Sequence, residues 1–384
     1  MMERVPYIRL SGFYFFYFAL LGALVPYWSL YLQSLSFDAA TIGLVMATLH
    51  ISRIFAPALW GWVADRSGER MRIIRLGAAA TFVIYLLIFW QQSAVGIALV
   101  MLGYSFFWNA VLPQFEVVTL GHLKEQKHRY SQVRLWGSIG FILAVGGIGV
   151  VLEYIDIIWL PAILLSLIGL IWLTSLAVPE PERPEQLTQA PVSLLLLLRK
   201  PHIVAFFAIT FFVQFSHGPY YTFYSVLLED VGYSKTAIGL MWSIGVVAEV
   251  AVFAVMHRLI DRFGLRQIML MSLVLCVLRW GIIGASPESL MLLVIAQCMH
   301  AATFGCLHAV GIALVNIYFT GNTKGRGQAL FSSIGFGLGG TAGALCAGFL
   351  WEAGGVELTF YAASAAALCG LVLAFVWIWP EKAQ

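Results

Sequence analysis

Four ionisable residues stand in stretches that are otherwise apolar: Arg53, Glu116, Glu249 and Arg279. His50, His217, His300 and His308 lie in similar surroundings, and Arg134 sits just inside another such stretch. Arg53 poses the question most sharply, in "TIGLVMATLHISRIFAPALWGWVADR" (41–66), about one helical turn after His50. In a bilayer, a charge near the middle of such a segment costs from about 3 to more than 10 kcal/mol. An opposite charge at the same depth offsets that cost, and so does a charged ligand. A guanidinium offers paired, charge-assisted hydrogen bonds to a carboxylate, which makes a buried arginine a candidate anion site. A carboxylate that alternates between an apolar setting and an arginine changes its proton affinity, which makes Glu249 a candidate proton carrier.

The elements that hold these residues follow from composition. Hydrophobic residues are 61% of the chain and charged residues 11%, against about 25% charged in soluble domains. So little polar surface marks an integral membrane protein. The net charge of +3 leaves no footprint for nucleic acid. The cysteines, Cys276, Cys298, Cys306, Cys346 and Cys369, all lie in apolar segments without C-x-x-C spacing, so neither zinc nor a disulfide framework is expected. The first apolar run, 10–33, is too long for a signal-peptide core. Counting runs of about 20 apolar residues gives twelve spans: 8–33, 39–64, 72–91, 94–121, 131–152, 157–177, 202–228, 235–259, 267–286, 288–317, 326–350 and 357–379. The stretch 178–200, rich in Pro and Glu, divides them six and six. The expected organisation is an N-terminal bundle 1–177, a cytoplasmic linker 178–200 and a C-terminal bundle 201–384.

With both termini in the cytoplasm, 19 of the 22 Lys and Arg residues fall on the cytoplasmic side, as the positive-inside rule requires. The exceptions are Lys235, Arg53 and Arg279. The halves also repeat. "TIGL" (41–44) recurs as "AIGL" (237–240), and Asp65-Arg66-Ser67-Gly68-Glu69-Arg70 as Asp261-Arg262-Phe263-Gly264-Leu265-Arg266, both 196 positions on. Ser138-Ile139-Gly140-Phe141 recurs as Ser333-Ile334-Gly335-Phe336 after 195. By the first offset Arg53 corresponds to Glu249. Parallel six-helix repeats imply two bundles rocking about a central site. Distance from the turns pairs Glu116 with Arg134, each nine residues from Glu125, and Glu249 with Arg279, each fifteen from Gly264. Opposite charges at one depth compensate each other.

"GWVADRSGERMR" in the connection between spans 2 and 3 resembles the signature loop of the major facilitator superfamily. "FYFFYFALLGALVPYWSLYL", "NAVLPQFE", "RLWGSIGF", "LRWGIIGAS" and "QCMHAATFG" resemble the lactose permease group, and most of all its phenylpropionate-permease branch. The resemblance implies a twelve-helix major facilitator fold and proton-coupled import. It implies substrate contacts at Glu116 and Arg134, and roles for Arg279 and His300 in the site. It also implies that the segment with Gly61, Asp65, Arg66, Gly68 and Arg70, and its echo at Asp261, Arg262 and Gly264, acts as a conformational latch. The chain departs from the lactose permease pattern at Phe141, which replaces a sugar-stacking tryptophan, at Thr303, which replaces an acid, and at Glu249, shifted by one turn. Arg53 is matched only in the phenylpropionate branch.

The expected function is proton-coupled import of a small aromatic or related carboxylate by a monomer in a bacterial-type inner membrane, with the proton gradient as driving force and no cofactor. Arg53 is the expected anion ligand, and Phe141, Tyr220, Tyr221 and Tyr224 are candidates to pack a ring. Glu249 and His300 are the candidates for proton coupling. The alternatives are a sugar or nucleoside symporter and a drug exporter. No hydrolytic motif points to an enzyme. A transport-dead sensor is expected to carry an added soluble domain, and the sequence ends soon after the last span. His300 and His308, eight apart, offer too few ligands for a metal, and "GFGLGG" (335–340) follows no strand, so it is no nucleotide motif. His217 precedes a Gly-Pro pair and is expected to bond backbone. The glycines of spans 5 and 11 are read as close packing at a moving interface.

Overall fold

The structure is a computed structural model, and it describes residues 5–181 and 194–379. Among these residues every regular element is a helix. We number them α1 (Tyr7–Ser34), α2 (Ala39–Ser67), α3 (Arg70–Trp90), α4 (Ala94–Leu123), α5 (Tyr130–Val151), α6 (Ile157–Ala177) and α7 (Pro201–Asp230). The run Lys235–Ala285 is 51 residues long but turns at Gly264 (φ 75°, ψ 161°), which divides it into α8 and α9. Leu290–Tyr318 is α10. The run Lys324–Trp377 divides at Gly354–Gly355, where φ is −155° and then 64°, into α11 and α12. Ten hydrogen-bonded runs therefore fold as the twelve expected spans, with ends within a few residues of those read from sequence. Most of the linker expected at 178–200 lies outside the described residues.

Local chemistry explains the ends. Asp38 caps α2 through a 2.8 Å bond from Thr41 N, which holds its carboxyl below the usual carboxylate range. Ser93 caps α4 at Gly96 N. Gly68, at φ 67°, closes α2 in the left-handed conformation. Large apolar side chains such as Leu76, Val83, Leu99, Leu143, Phe349 and Phe375 face outward, as lipid contact requires. Trp90, Tyr154, Trp159 and Trp379 are exposed at the helix ends, where amphipathic rings suit the membrane interface.

By contact density the described residues form two compact units. Unit 1 takes the chain up to Phe37, then Phe55 to beyond the end of α6, and Lys235–Leu240. Unit 2 takes Asp38–Ile54, α7 to Ser234, and the chain from Met241 onward. The units thus differ from the expected halves in two segments, the start of α2 and the start of α8, and these are partners in the sequence repeat.

In unit 1, α1 lies against α5 so closely that a Cβ on Gly140 would stand 2.2 Å from the Phe15 carbonyl oxygen. The Phe13 and Phe115 rings stack at 3.7 Å between α1 and α4. Arg75 on α3 closes the end of α6 with a 2.8 Å bond to Val178 O. In unit 2, α11 approaches α7 at Gly218 and Gly343, and approaches α2 at Gly43 and Gly348, with prospective Cβ contacts under 3 Å at each. Arg266 on α9 closes the end of α12 through Phe375 O and Ile378 O, much as Arg75 closes α6. The glycines of α5 and α11 therefore serve several packing seams, including α1–α5, α7–α11 and α2–α11.

Candidate functional site

Unit 2 builds a polar cluster around Arg279, whose side chain is fully buried on α9. Its Nη1 donates to His300 Nδ1 at 3.0 Å and to Thr303 Oγ1 at 2.9 Å, both on α10. Tyr220 on α7 and Trp280 on α9 each present a ring 4.4 Å from its Cζ. The Tyr220 hydroxyl donates to Gln297 Oε1 at 3.0 Å. The α-helical pattern of α10 gives way to a π-helical turn at Ala301–Cys306, so Thr303 sits inside the turn and His300 at its entry. Such turns are rare and recur at functional sites.

This geometry fixes the state of His300. A guanidinium only donates, so Nδ1 must accept, and the imidazole is neutral with its hydrogen on Nε2. That hydrogen faces Glu249 on α8, whose Oε2 lies 3.7 Å away. Depth along the helices pairs Glu249 with Arg279, and in the structure His300 contacts both of them. Equal depth fixes height along an axis and not direction around it, and the side chain that contacts both comes from a third helix.

Arg53 also belongs to unit 2. It lies in a 3₁₀ turn, Ser52–Ile54, that interrupts α2. Its Cζ is 5.9 Å from the centre of the Phe336 ring, and Phe336 lies in a second π-helical turn, Ser333–Gly339, on α11. Tyr221 is within electrostatic reach of Arg53, Glu249 and Arg279 together. Tyr224 is buried beside Tyr220, with ring centres 4.9 Å apart. His217 bonds backbone as expected, but its acceptor is Val213 O at 2.8 Å, not the Phe215 carbonyl four residues before Pro219. His308 and Thr303 line a cavity of about 20 Å³ with Thr210 and Gln214, room for one water.

Unit 1 brings Glu116 and Arg134 together electrostatically, with the Tyr130 side chain hydrogen-bonded to the carboxylate. Arg134 lies 3.8 Å above the Phe18 ring and 5.7 Å from that of Tyr14. Phe141, on the same helix, packs its backbone against Gly22 of α1. In the α2–α3 loop Arg70 pairs with Asp65 and also bonds Gln114 on α4. A Cβ on Gly61 would stand 3.8 Å from Gln114 Nε2, and Arg66 lies 5.5 Å from the Trp62 ring. Asp261, Arg262 and Gly264 are exposed at the α8–α9 turn, where Arg262 packs on Phe263.

Sequence reasoning missed several contributors. Glu180, just past α6, accepts from the backbone N–H groups of Arg70 and Met71 at 2.9 and 2.8 Å. It thereby caps α3 from the far end of the bundle's sequence, although its composition suggests only a linker. Thr303 was noted as a replaced acid, not as a ligand of Arg279. Gln114 and Tyr130 carried no signal beyond polar residues next to apolar runs.

Comparison with known proteins agrees with this architecture. The MFS_1 like family profile matches residues 7–362. The chain is 29% identical over 348 residues to a protein of Escherichia coli described as a probable 3-phenylpropionic acid transporter, covering 88% of this chain and 89% of that one. It is 28% identical over 363 residues to the maltose permease of Geobacillus stearothermophilus, covering 91% and 89%. Among solved structures, the nucleoside transporter NupG superposes with a TM-score of 0.80 at 20% identity, covering 97% of this chain and 98% of that one.

Proposed function

The chain belongs to the MFS_1 like family of major facilitator transporters and is a multi-pass membrane transporter, not an enzyme; on that premise we propose that it imports a small aromatic or related carboxylate, coupled to protons, by alternating access. The observation that carries this reading is a recurring pair. Three arginines set in the apolar runs, Arg53, Arg134 and Arg279, each lie against an aromatic ring. A cation beside a ring face matches a ligand that is itself a carboxylate on an aromatic ring. The 29% identity to the phenylpropionic acid transporter favours the same substrate class.

In this reading Arg53 and Arg279 of unit 2 attract the carboxylate, with Tyr220 and Tyr221 against the ring. His300 holds its proton on Nε2 while Arg279 occupies Nδ1. Protonating the second nitrogen requires Arg279 to withdraw, and a substrate carboxylate that draws Arg279 away provides the means. Once Nδ1 has taken a proton, Glu249, whose Oε2 is 3.7 Å from Nε2, is the acceptor for the hydrogen that Nε2 then releases. Substrate binding and proton uptake are then coupled through one hydrogen bond. The bacterial cytoplasmic membrane, the setting of a proton gradient, is the proposed location.

A sugar or nucleoside substrate is the second reading, favoured by Glu116, Tyr130 and Arg134, a set that also suits hydroxyl groups. Uptake into liposomes containing the purified protein separates the two. With an inward proton gradient, labelled 3-phenylpropionate accumulates above equilibrium under the first reading, and a protonophore abolishes the accumulation. Accumulation of maltose or uridine with none of the acid would reverse the order.

A further inference from the structure

Two helices of unit 2, α2 and α11, lose their regular hydrogen bonding where they meet, and each is repaired by a side chain of the other. On α2 the cause is Pro57, which has no N–H for the Arg53 carbonyl four residues before it. The chain passes through the 3₁₀ turn Ser52–Ile54 and resumes as α-helix at Ala56. Ser333 Oγ of α11 donates to that Arg53 carbonyl at 3.5 Å. On α11 the cause is the π-helical turn Ser333–Gly339. The Gly340 N–H, the regular α-helical partner of the Phe336 carbonyl, bonds Gly335 O and Gly337 O instead. The His50 side chain of α2 is hydrogen-bonded to the Phe336 carbonyl. The two breaks are seated closely on each other: a Cβ on Gly337 would stand 3.0 Å from Ile54 N, and one on Gly340 would stand 2.9 Å from His50 Nδ1. In hydrocarbon a backbone carbonyl without a donor is costly, and side chains of neighbouring helices are what make such breaks tolerable. Arg53 lies inside this exchange, with its carbonyl on Ser333 and its guanidinium 5.9 Å from the centre of the Phe336 ring.

We propose that His50 and Ser333 are positioning residues for Arg53. By holding the carbonyls of Phe336 and Arg53 they fix the 3₁₀ turn against the π-helical turn, and with it the direction of the guanidinium. Neither residue needs to touch substrate. The consequence for carboxylate affinity rests on the function proposed above, whereas the aim of Arg53 does not.

Two readouts on the purified full-length protein test this. The first needs no substrate: phenylglyoxal labelling of Arg53, followed by peptide mass spectrometry. His50→Leu and Ser333→Ala should each raise the labelling rate of Arg53 several-fold, because the guanidinium is no longer held against Phe336. His50→Gln and Ser333→Thr keep a hydrogen-bond donor and should restore the wild-type rate. Pro57→Ala supplies the missing N–H, so Ser333→Ala added to it should change nothing further. A full effect of Ser333→Ala in that background overturns the proposal. The second readout is uptake of labelled 3-phenylpropionate into liposomes. KM should rise roughly two- to tenfold in His50→Leu and in Ser333→Ala, as the loss of one hydrogen bond implies, while kcat stays nearly constant. A fall in Tm with labelling and KM both unchanged means that the two residues only stabilise the fold, and it overturns the proposal. If His50→Leu fails to fold, the Ser333 and Pro57 arm still decides. If the protein takes up no 3-phenylpropionate, the transport reading fails, and the labelling still decides whether His50 and Ser333 aim Arg53.

Discussion

Replacing Gly140 with alanine should pull α1 away from α5. A Cβ there would stand 2.2 Å from the Phe15 carbonyl oxygen and 2.9 Å from its carbon, whereas ordinary contact starts near 3.4 Å. Both obstacles are backbone atoms, so no rotamer relieves them, and the helices must part by roughly 1 Å in a well-packed seam. Overpacking of that kind costs about 1–3 kcal/mol, a fall in Tm on the order of 2–10 °C. Gly147 on the same helix is the control, with nothing within 4 Å of a prospective Cβ. Gly147→Ala should hold or slightly raise Tm, since alanine favours the helix. The assay is intrinsic tryptophan fluorescence during thermal unfolding of each purified variant. If Gly140→Ala melts together with Gly147→Ala, the claimed seam does not limit stability and the reasoning fails. Gly137→Ala extends the test to the site. Its Cβ would meet the Phe18 ring at 2.7 Å and Arg134 Nη1 at 2.8 Å. Those atoms can move, so Tm should fall less than in Gly140→Ala while uptake falls more.

Other outcomes follow from the same geometry. Arg53→Gln should abolish uptake of the carboxylate while the protein still folds and inserts; wild-type uptake would remove Arg53 from the site. Glu116→Gln and Arg134→Gln should each impair folding or transport, and the double variant should fold better than either alone because no lone charge remains. Strictly additive losses in that cycle would argue against coupling. Glu249→Gln should lose proton-driven accumulation yet retain exchange between pre-loaded vesicles, and intact uphill uptake would leave His300 as the next candidate. Glu180→Ala, which strips two backbone N–H groups of their acceptor, should raise hydrogen exchange at Arg70 and Met71; unchanged protection there would refute the cap.

The span pattern was legible because each helix must bury its backbone hydrogen bonds in hydrocarbon, which forces long apolar runs. The breaks at Gly264 and Gly354–Gly355 were legible as turn residues between such runs. Equal depth correctly grouped Glu116 with Arg134, where two helices are joined by a short connection. It did not find the ligands of Arg279, because His300 and Thr303 come from a third helix and reach it through a π-helical turn. No periodicity announces such a turn. Glu180 was hidden for a different reason: its partners are backbone N–H groups 110 and 109 residues away, and backbone has no sequence.

The π-helical turns at Ala301–Cys306 and Ser333–Gly339 carry an evolutionary consequence. Such a turn accommodates one more residue than the regular helix around it. It is the form in which an α-helix absorbs a single inserted residue without exposing a backbone group to lipid, and elsewhere such an insertion would rotate the rest of the helix by about 100°. A lineage can therefore gain or lose one codon here and re-aim the side chains on one flank of α10 or α11 while the other flank keeps its neighbours. Two such places, one beside Arg279 and one beside Arg53, give related transporters a way to change what the site recognises by altering length instead of residue identity.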